Sequence, residues 1–453
     1  MPQGKKWVDF ARWSERWGRL HDLAYINAHS NEKVAGDLIY MNLFGQPAII
    51  VNDVDIAIAM LDKKSSIYSD RPVLVVGGQV VGFENGVALE RYRDRWREKR
   101  RMMHRHISTR SSMEKFYGAE ELETHRLLRR ILERPQPELL PKHIRLTAGA
   151  IILMISHGYA VKEKDDYYYF VQHADRVLTI FTEALTPGRF LADTLPILRF
   201  VPEWFPGAAW KRAATTDASW DCVPSFTSMH LEQGNLSEDK EHMLKWVAHS
   251  IMAGGADTVS LEVQEKAQKE LDAVVGNDRL PTINDRSRLP YIDATVKEVL
   301  RWNTVAPIGV SHGLVEDDIQ DGYFIPKGSF IIPNIWKFLH DEQTYKDPFE
   351  FRPERFVASG KQGPEKDPRS AAFGFGRRVC PGLLFADSSL FLTCAMVLSM
   401  FNISKATENG VPITPKQEYV DGLISHPKPF NCSIKPRSDQ AVAIIKSIDF
   451  VEE

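Results

Sequence analysis

The 453-residue chain has no apolar run approaching the roughly 18 consecutive residues needed to span a bilayer. Its best apolar stretches, Ala150–Ile155 and Leu390–Phe401, read as core helix instead. The start, Met1 to Gly18, is basic and rich in tryptophan (Trp7, Trp13, Trp17) and has no apolar centre, so it does not read as a signal peptide. As written, the chain is expected to be soluble. A surplus of charge is also missing: the net charge of −3 gives no reason to expect nucleic acid or another strongly charged partner. Cysteine is scarce. Cys222, Cys380, Cys394 and Cys432 form neither a CxxC pair nor an even ladder, so neither a disulfide framework nor a zinc site is suggested. Such scattered cysteines fit a reducing compartment, where most serve as small buried apolar groups. There are no repeats and no low-complexity tract.

What remains is ordinary for a large soluble core, with 43% hydrophobic and 26% charged residues. The length allows two or three domains, or one large domain with a small satellite. Leu38–Phe44 and Ala48–Val51 read as strands around Gly45-Gln46-Pro47, a hairpin signal. Val54–Leu61 and the arginine-dense Arg91–His106 read as helices, and Glu120–Val275 as mainly helical between proline-bearing turns. Leu289–Trp302 places Leu289, Ile292, Val296 and Val299 or Leu300 on one helical face. Strand signal follows at Ile319–Ile325, around Asp321-Gly322, and at Ser329–Ile332. Lys337–Ala372 reads as an ordered, proline-rich meander, and Gly382–Phe401 as helix. The fold class expected is mainly α with a small β portion (α+β).

The strongest chemical signal is Phe373-Gly-Phe-Gly376-Arg-Arg378-Val-Cys380-Pro-Gly382. It reads as a glycine-bearing loop presenting one cysteine at the start of an apolar helix. A helix start carries free N–H groups and partial positive charge, and favours thiolate over thiol. Gly376 and Gly382 lack a Cβ, so a flat ligand could approach the backbone, and Arg378 could meet its anionic edge. The plain alternative is a lone buried cysteine. A second signal is Glu298-Val-Leu-Arg301, whose carboxylate and guanidinium share a helix face. It is followed in order by Pro353-Glu354-Arg355-Phe356. A third is Ala253-Gly254-Gly255-Ala256-Asp257-Thr258, where small residues let something pack on a helix beside an Asp–Thr pair; the alternative is a helix crossing. Trp96 and Arg100 stand one helical turn apart on what is otherwise a basic, solvated face, and His312 follows the Glu298 helix, where a surface-loop histidine is the alternative.

These motifs, in this order, resemble the cytochrome P450 family over about Gly36 to Arg437, and especially fungal secondary-metabolism members of the O-methylsterigmatocystin oxidoreductase type. The resemblance implies a P450 fold holding haem b, with Cys380 as axial thiolate and only iron ligand, and with Phe373 and Gly382 in the haem loop. Arg378, Trp96, Arg100 and His312 would meet the propionates. Glu298, Arg301 and Arg355 would form a buried structural cluster without a catalytic part. Asp257 and Thr258 would bind and relay protons during oxygen activation. Val73–Val87, Ala253–Thr258, Val305–Val310 and Leu423-Ile424 would touch a lipophilic substrate. The implied activity is a monooxygenase inserting one oxygen atom from O2. Its electrons would come from NADPH through NADPH-cytochrome P450 reductase, at the cytoplasmic face of the endoplasmic reticulum membrane.

The chain departs from the family pattern in blocks. The usual membrane anchor is absent, Arg19–Val34 reads as an insertion, and Lys211–Cys222 is short. Asp257-Thr258-Val-Ser-Leu runs directly into Glu262, so the distal helix reads as truncated. The expected organisation is an atypical segment, 1–35, and one catalytic domain, 36–453. Losing half of a core helix removes side chains worth on the order of 2–5 kcal/mol each, so the alternative to an active monooxygenase is a mis-spliced, catalytically incompetent haem-binding product. Isomerase or dehydratase chemistry is a third reading, which the Asp257–Thr258 pair disfavours.

Overall fold

The computed structural model describes residues 5–17, 32–43 except 36, 45–161, short stretches between 181 and 204, 261–358, and 363–448 except 417, 421 and 426. The first element is a helix that the sequence reading did not foresee, α1 (Lys6–Trp17). Its Trp7, Phe10, Ala11 and Ser14 are buried, a stripe at helical spacing. Trp7 and Phe10 pack on Ile39, Met41, Ile50 and Ile332 of a sheet. Asn334 and Asn52 donate side-chain N–H groups to the carbonyls of Trp7 (3.0 Å) and Phe10 (3.2 Å), pinning the helix to that sheet.

The sheet is built from β1 (Glu32–Ala35), β2 (Leu38–Leu43), β3 (Gln46–Val51), β4 (His312–Gly313) and, beyond a separate hairpin of β5 (Asp318–Gln320) and β6 (Tyr323–Ile325), β7 (Phe330–Pro333). Its order is β1-β2-β3-β7-β4, with only β3 and β7 parallel. The sheet therefore runs across the boundary expected at residue 35. The β5–β6 turn uses Asp321 at φ 50° and Gly322 at φ 82°, the left-handed pair that a two-residue hairpin demands.

The second core is helical. It joins α2 (Asp94–Ile107), α3 (Tyr117–Glu133), α4 (Leu140–His157), α5 (Leu261–Val274), α6 (Pro290–Trp302) and α7 (Leu383–Met400). Helix α6 starts on Pro290, whose missing N–H costs nothing there. Its free Tyr291 and Ile292 amides donate to the Glu270 carboxylate of α5 at 2.9 and 3.0 Å. Leu127, Leu128 and Ile131 of α3, Leu271 of α5, Ile292 and Val296 of α6, and Phe391 and Met396 of α7 share one buried cluster. Helix α7 is mostly apolar, as a helix packed among others should be, and its buried Asp387 pairs with Arg286 and Arg369. It and Pro137–Ser156 are long and apolar enough to cross a membrane, but half or more of each is buried within the protein. The stretches 211–222 and 253–258, where the short segment and the distal motif were expected, lie outside the described residues, as does the expected insertion 19–34 up to residue 31; its last residues, 32–34, belong to β1.

Candidate active site

The cysteine loop bridges the two cores. Phe375 is buried in the sheet-side cluster, edge-on to Phe338 at 6.0 Å, while α7 begins two residues after Pro381 in the helical core. Between them the chain turns through Gly374 (φ 77°) and Gly376 (φ 53°), and the Cys380 amide closes the loop on the Phe373 carbonyl at 2.8 Å. A Cβ on Gly376 would stand 2.2 Å from the Leu61 carbonyl oxygen. Gly376 is therefore needed for contact between two backbones, not for approach of a ligand as the sequence suggested. At Gly382 a Cβ would meet only the Cys380 sulfur, at 3.9 Å.

Cys380 is the exposed member of the described cysteines; Cys394 is half-buried and Cys432 buried. Its thiol nevertheless opens into a recess crowded by protein, and burial pushes its pKa up against the opposing Gly382 amide and the Arg100 charge. The Gly382 amide at the helix start favours thiolate, as the sequence suggested, but burial opposes it more strongly. A thiol so placed becomes a thiolate when a cation coordinates it.

Around this recess buried cations converge. Arg378 donates to the carbonyls of Ser69 (2.7 Å), Val87 (3.1 Å) and Glu90 (2.7 Å), and lies over the Trp96 ring at 4.2 Å. Trp96 spends its ring N–H on the Val87 carbonyl at 3.0 Å. Arg100 reaches the Val379 carbonyl, next to the cysteine. His312 is buried, not on a surface loop, and donates from Nδ1 to the Tyr68 carbonyl at 2.8 Å. Sequence reasoning missed Arg71, which donates to Ala88 (2.8 Å), Val310 (2.5 Å) and Ser311 (2.8 Å). A lone arginine before a proline carries no spacing signal.

Burial pushes the pKa of Arg378 down to about 9, with Arg100 adding to the push, and lowers Arg71 and Arg100 as well. His312 falls far below its ordinary value through burial and the charges of Arg71 and Arg378. Guanidinium does not lose its proton in proteins, so these shifts register the cost of burying charge, offset in part by Asp70 at Arg71 and by Asp70 and Glu90 at Arg378. Among the described residues, none of Arg71, Arg100 and Arg378 has a carboxylate at ion-pair distance. The recess fits a cofactor with anionic groups.

Farther out, Arg301 and Arg355 both close on Glu298, and all three side chains are fully buried. Arg355 also donates to the carbonyls of Lys346, Asp347 and Glu350, holding the meander against α6. Residues of three expected substrate segments, Phe83, Leu74 and Val81, Val310, and Leu423, share an apolar cluster with Leu89, Phe181 and Leu185, which no expected segment held; the fourth segment, 253–258, lies outside the described residues. Asp257 and Thr258 lie outside the described residues.

A lone cysteine at the head of a buried helix, near arginines that among the described residues have no carboxylate at ion-pair distance, is what a haem-thiolate enzyme requires. The family profile described as Cytochrome P450 matches residues 238–434. The chain is 45% identical to Cytochrome P450 monooxygenase 208 of Postia placenta over 485 aligned positions, covering 100% of this chain and 90% of that protein. It is 43% identical to Cytochrome P450 monooxygenase claR of Ampulloclitocybe clavipes (92% and 83% covered) and 38% to Cytochrome P450 monooxygenase ppsD of Aspergillus oryzae (94% and 87%). The chain belongs to the cytochrome P450 family and is a monooxygenase of the fungal type, a class that works with haem, dioxygen, an organic substrate and a redox partner. The comparisons favour this over the incompetent-product alternative.

Proposed function

We propose that Cys380 is the axial thiolate of a haem b whose propionates are met by Arg100, Arg378 and His312, with Trp96 stacked behind Arg378. Haem supplies the dioxygen and electron chemistry, and the protein orients, dries and protonates. The observation that carries the reading is Cys380 at the head of α7 with Arg100 reaching the adjoining Val379 carbonyl, near Arg71 and Arg378, none of these arginines having a carboxylate at ion-pair distance among the described residues. Phe373 and Gly382 frame the sulfur. Asp257 and Thr258 are the proton-relay pair. The apolar cluster of Phe83, Leu185, Val310 and Leu423 fits a lipophilic substrate, in fungal secondary metabolism or xenobiotic oxidation. Electrons come from NADPH through NADPH-cytochrome P450 reductase. Arg93, Arg97, Arg101, Arg105 and Arg377 are exposed around the cysteine loop and suit an acidic flavoprotein. The place of work is the cytoplasmic face of the endoplasmic reticulum membrane. The 485-position alignment is longer than this chain, so the relative carries stretches without a counterpart here, in keeping with a shortened distal helix.

The test is the carbon monoxide difference spectrum of the reduced, haem-loaded protein. A strongly red-shifted Soret band in the parent, lost in Cys380→Ala, is the expected result. The same band in Cys380→Ala overturns the assignment of the ligand.

A further inference from the structure

Among the basic residues of α2, Lys99 alone is buried, and its side chain has no exposed surface. It lies between the buried Trp96 and Met103 on the inward face of the helix. A lysine is almost never enclosed without partners. This one donates to the Asn85 carbonyl at 2.6 Å, and its Nζ lies 2.9 Å from Glu90 Oε2. Arg95 approaches the other oxygen of the same carboxylate at 3.6 Å.

Glu90 also belongs to the site described above. Its backbone carbonyl accepts from Arg378 at 2.7 Å, and with Asp70 its charge opposes the cost of burying that guanidinium. Yet the Glu90 carboxylate is turned to Lys99 and Arg95, not to Arg378. The rest of the 85–90 loop meets the cations through carbonyls only. Trp96 and Arg378 share that of Val87, and Arg71 takes that of Ala88. A carbonyl carries only partial charge, so a guanidinium anchored on carbonyls still attracts an anion. A carboxylate in contact would satisfy it.

We propose that Lys99 is a positioning residue that holds the Glu90 carboxylate away from Arg378, and thereby keeps Arg378 open to a haem propionate. The inference rests on the reading of Arg378 as a propionate partner. Without the Lys99 charge, Glu90 turns toward Arg378 and competes with the propionate for one guanidinium. Loss of Lys99 therefore acts through the Glu90 charge, and removing that charge as well repairs it. A lysine that merely propped up the 85–90 loop would be missed whether or not Glu90 were charged.

The test uses the haem-loaded protein and two readouts: the rate of haem transfer to apomyoglobin, and the haem reduction potential from a dye-mediated titration. Lys99→Met should speed haem release by about tenfold, the worth of one hydrogen bond to a charged group. It should also lower the potential, because negative charge has moved toward the propionates. The double variant Lys99→Met/Glu90→Gln should return to within about twofold of the parent rate and restore the potential. Glu90→Gln alone keeps an acceptor oxygen for Lys99 and should release haem no faster than the parent. It decides the matter if Lys99→Met fails to fold. A parent-like rate in Lys99→Met, a double variant as fast as Lys99→Met, or faster release from Glu90→Gln each overturn the role of Lys99 alone. Arg378→Gln checks the reading beneath it: haem release at the parent rate there overturns the propionate assignment, and the inference with it.

Discussion

Arg301 grips Glu298 through two hydrogen bonds, Nε to Oε2 at 2.7 Å and Nη2 to Oε1 at 2.8 Å, and neither side chain has exposed surface. Arg355 approaches the same carboxylate at 3.2 Å, and the Arg352 amide donates to it at 2.7 Å. One carboxylate thus fixes α6 and the meander that leads to the cysteine loop. Glu298→Gln removes the charge that two buried guanidiniums share. The expected loss is about 3–5 kcal/mol, the range for breaking a buried ion pair from one side. Urea unfolding of the haem-loaded protein measures it, and a midpoint equal to the parent's refutes a structural role for the cluster.

Gly376→Ala should be damaging for a different reason. Its φ of 53° and the Leu61 carbonyl oxygen, only 2.2 Å from where a Cβ would stand, leave no relaxed position for the methyl group. The cost is about 2–4 kcal/mol, from backbone strain and overpacking together. Gly382→Ala is the control, because its Cβ would touch only the Cys380 sulfur. It should leave thermal stability within about 0.5 kcal/mol while shifting the Soret band. Equal melting temperatures for the two variants would contradict the backbone-contact argument.

Arg71 ties both flanks of the cationic recess, through Ala88 on one side and Val310 and Ser311 on the other. A lysine keeps the charge but cannot reproduce the planar fork. Arg71→Lys should therefore leave buried carbonyls unpaired at a cost of about 1–3 kcal/mol and release haem faster. Transfer of haem to apomyoglobin gives the rate. A rate matching the parent's would show that charge alone, without the fork, suffices.

Much of this architecture was legible because it rests on short-range chemistry. Asp321-Gly322 marks its hairpin by backbone preference, Pro290 marks a helix start, and the loop around Cys380 is written in contiguous residues. What was missed depends on groups far apart in sequence. Arg71 gains its role only from carbonyls at 88, 310 and 311. Helix α1 was missed for another reason: Trp7, Phe10, Ala11 and Ser14 stand at helical spacing, but the stretch was weighed only against a signal peptide and its helical period went unread. At Cys380 the helix-end charge was visible in sequence and the burial that opposes it was not.

Glu120 shows the same limit and yields a prediction about pH. Its side chain is fully buried between α3 and α7, where Ser388 donates to Oε1 at 3.0 Å and Oε2 has no partner among the described residues. Burial raises its pKa from 4.5 to about 8, reinforced by the charges of Glu121 and Asp387 and opposed by Ser388 and Ser389. The folded protein therefore holds this proton while the unfolded chain releases it at ordinary acidity. The stability that follows is fully present below the unfolded value of 4.5 and is lost as pH rises through about 8. Glu120→Gln cannot titrate, so its stability relative to the parent should improve from pH 5 to pH 8, by an amount on the order of 2–4 kcal/mol. Urea midpoints of both proteins at the two pH values make the comparison. A parent–variant difference that is the same at both would mean that Glu120 carries no trapped proton.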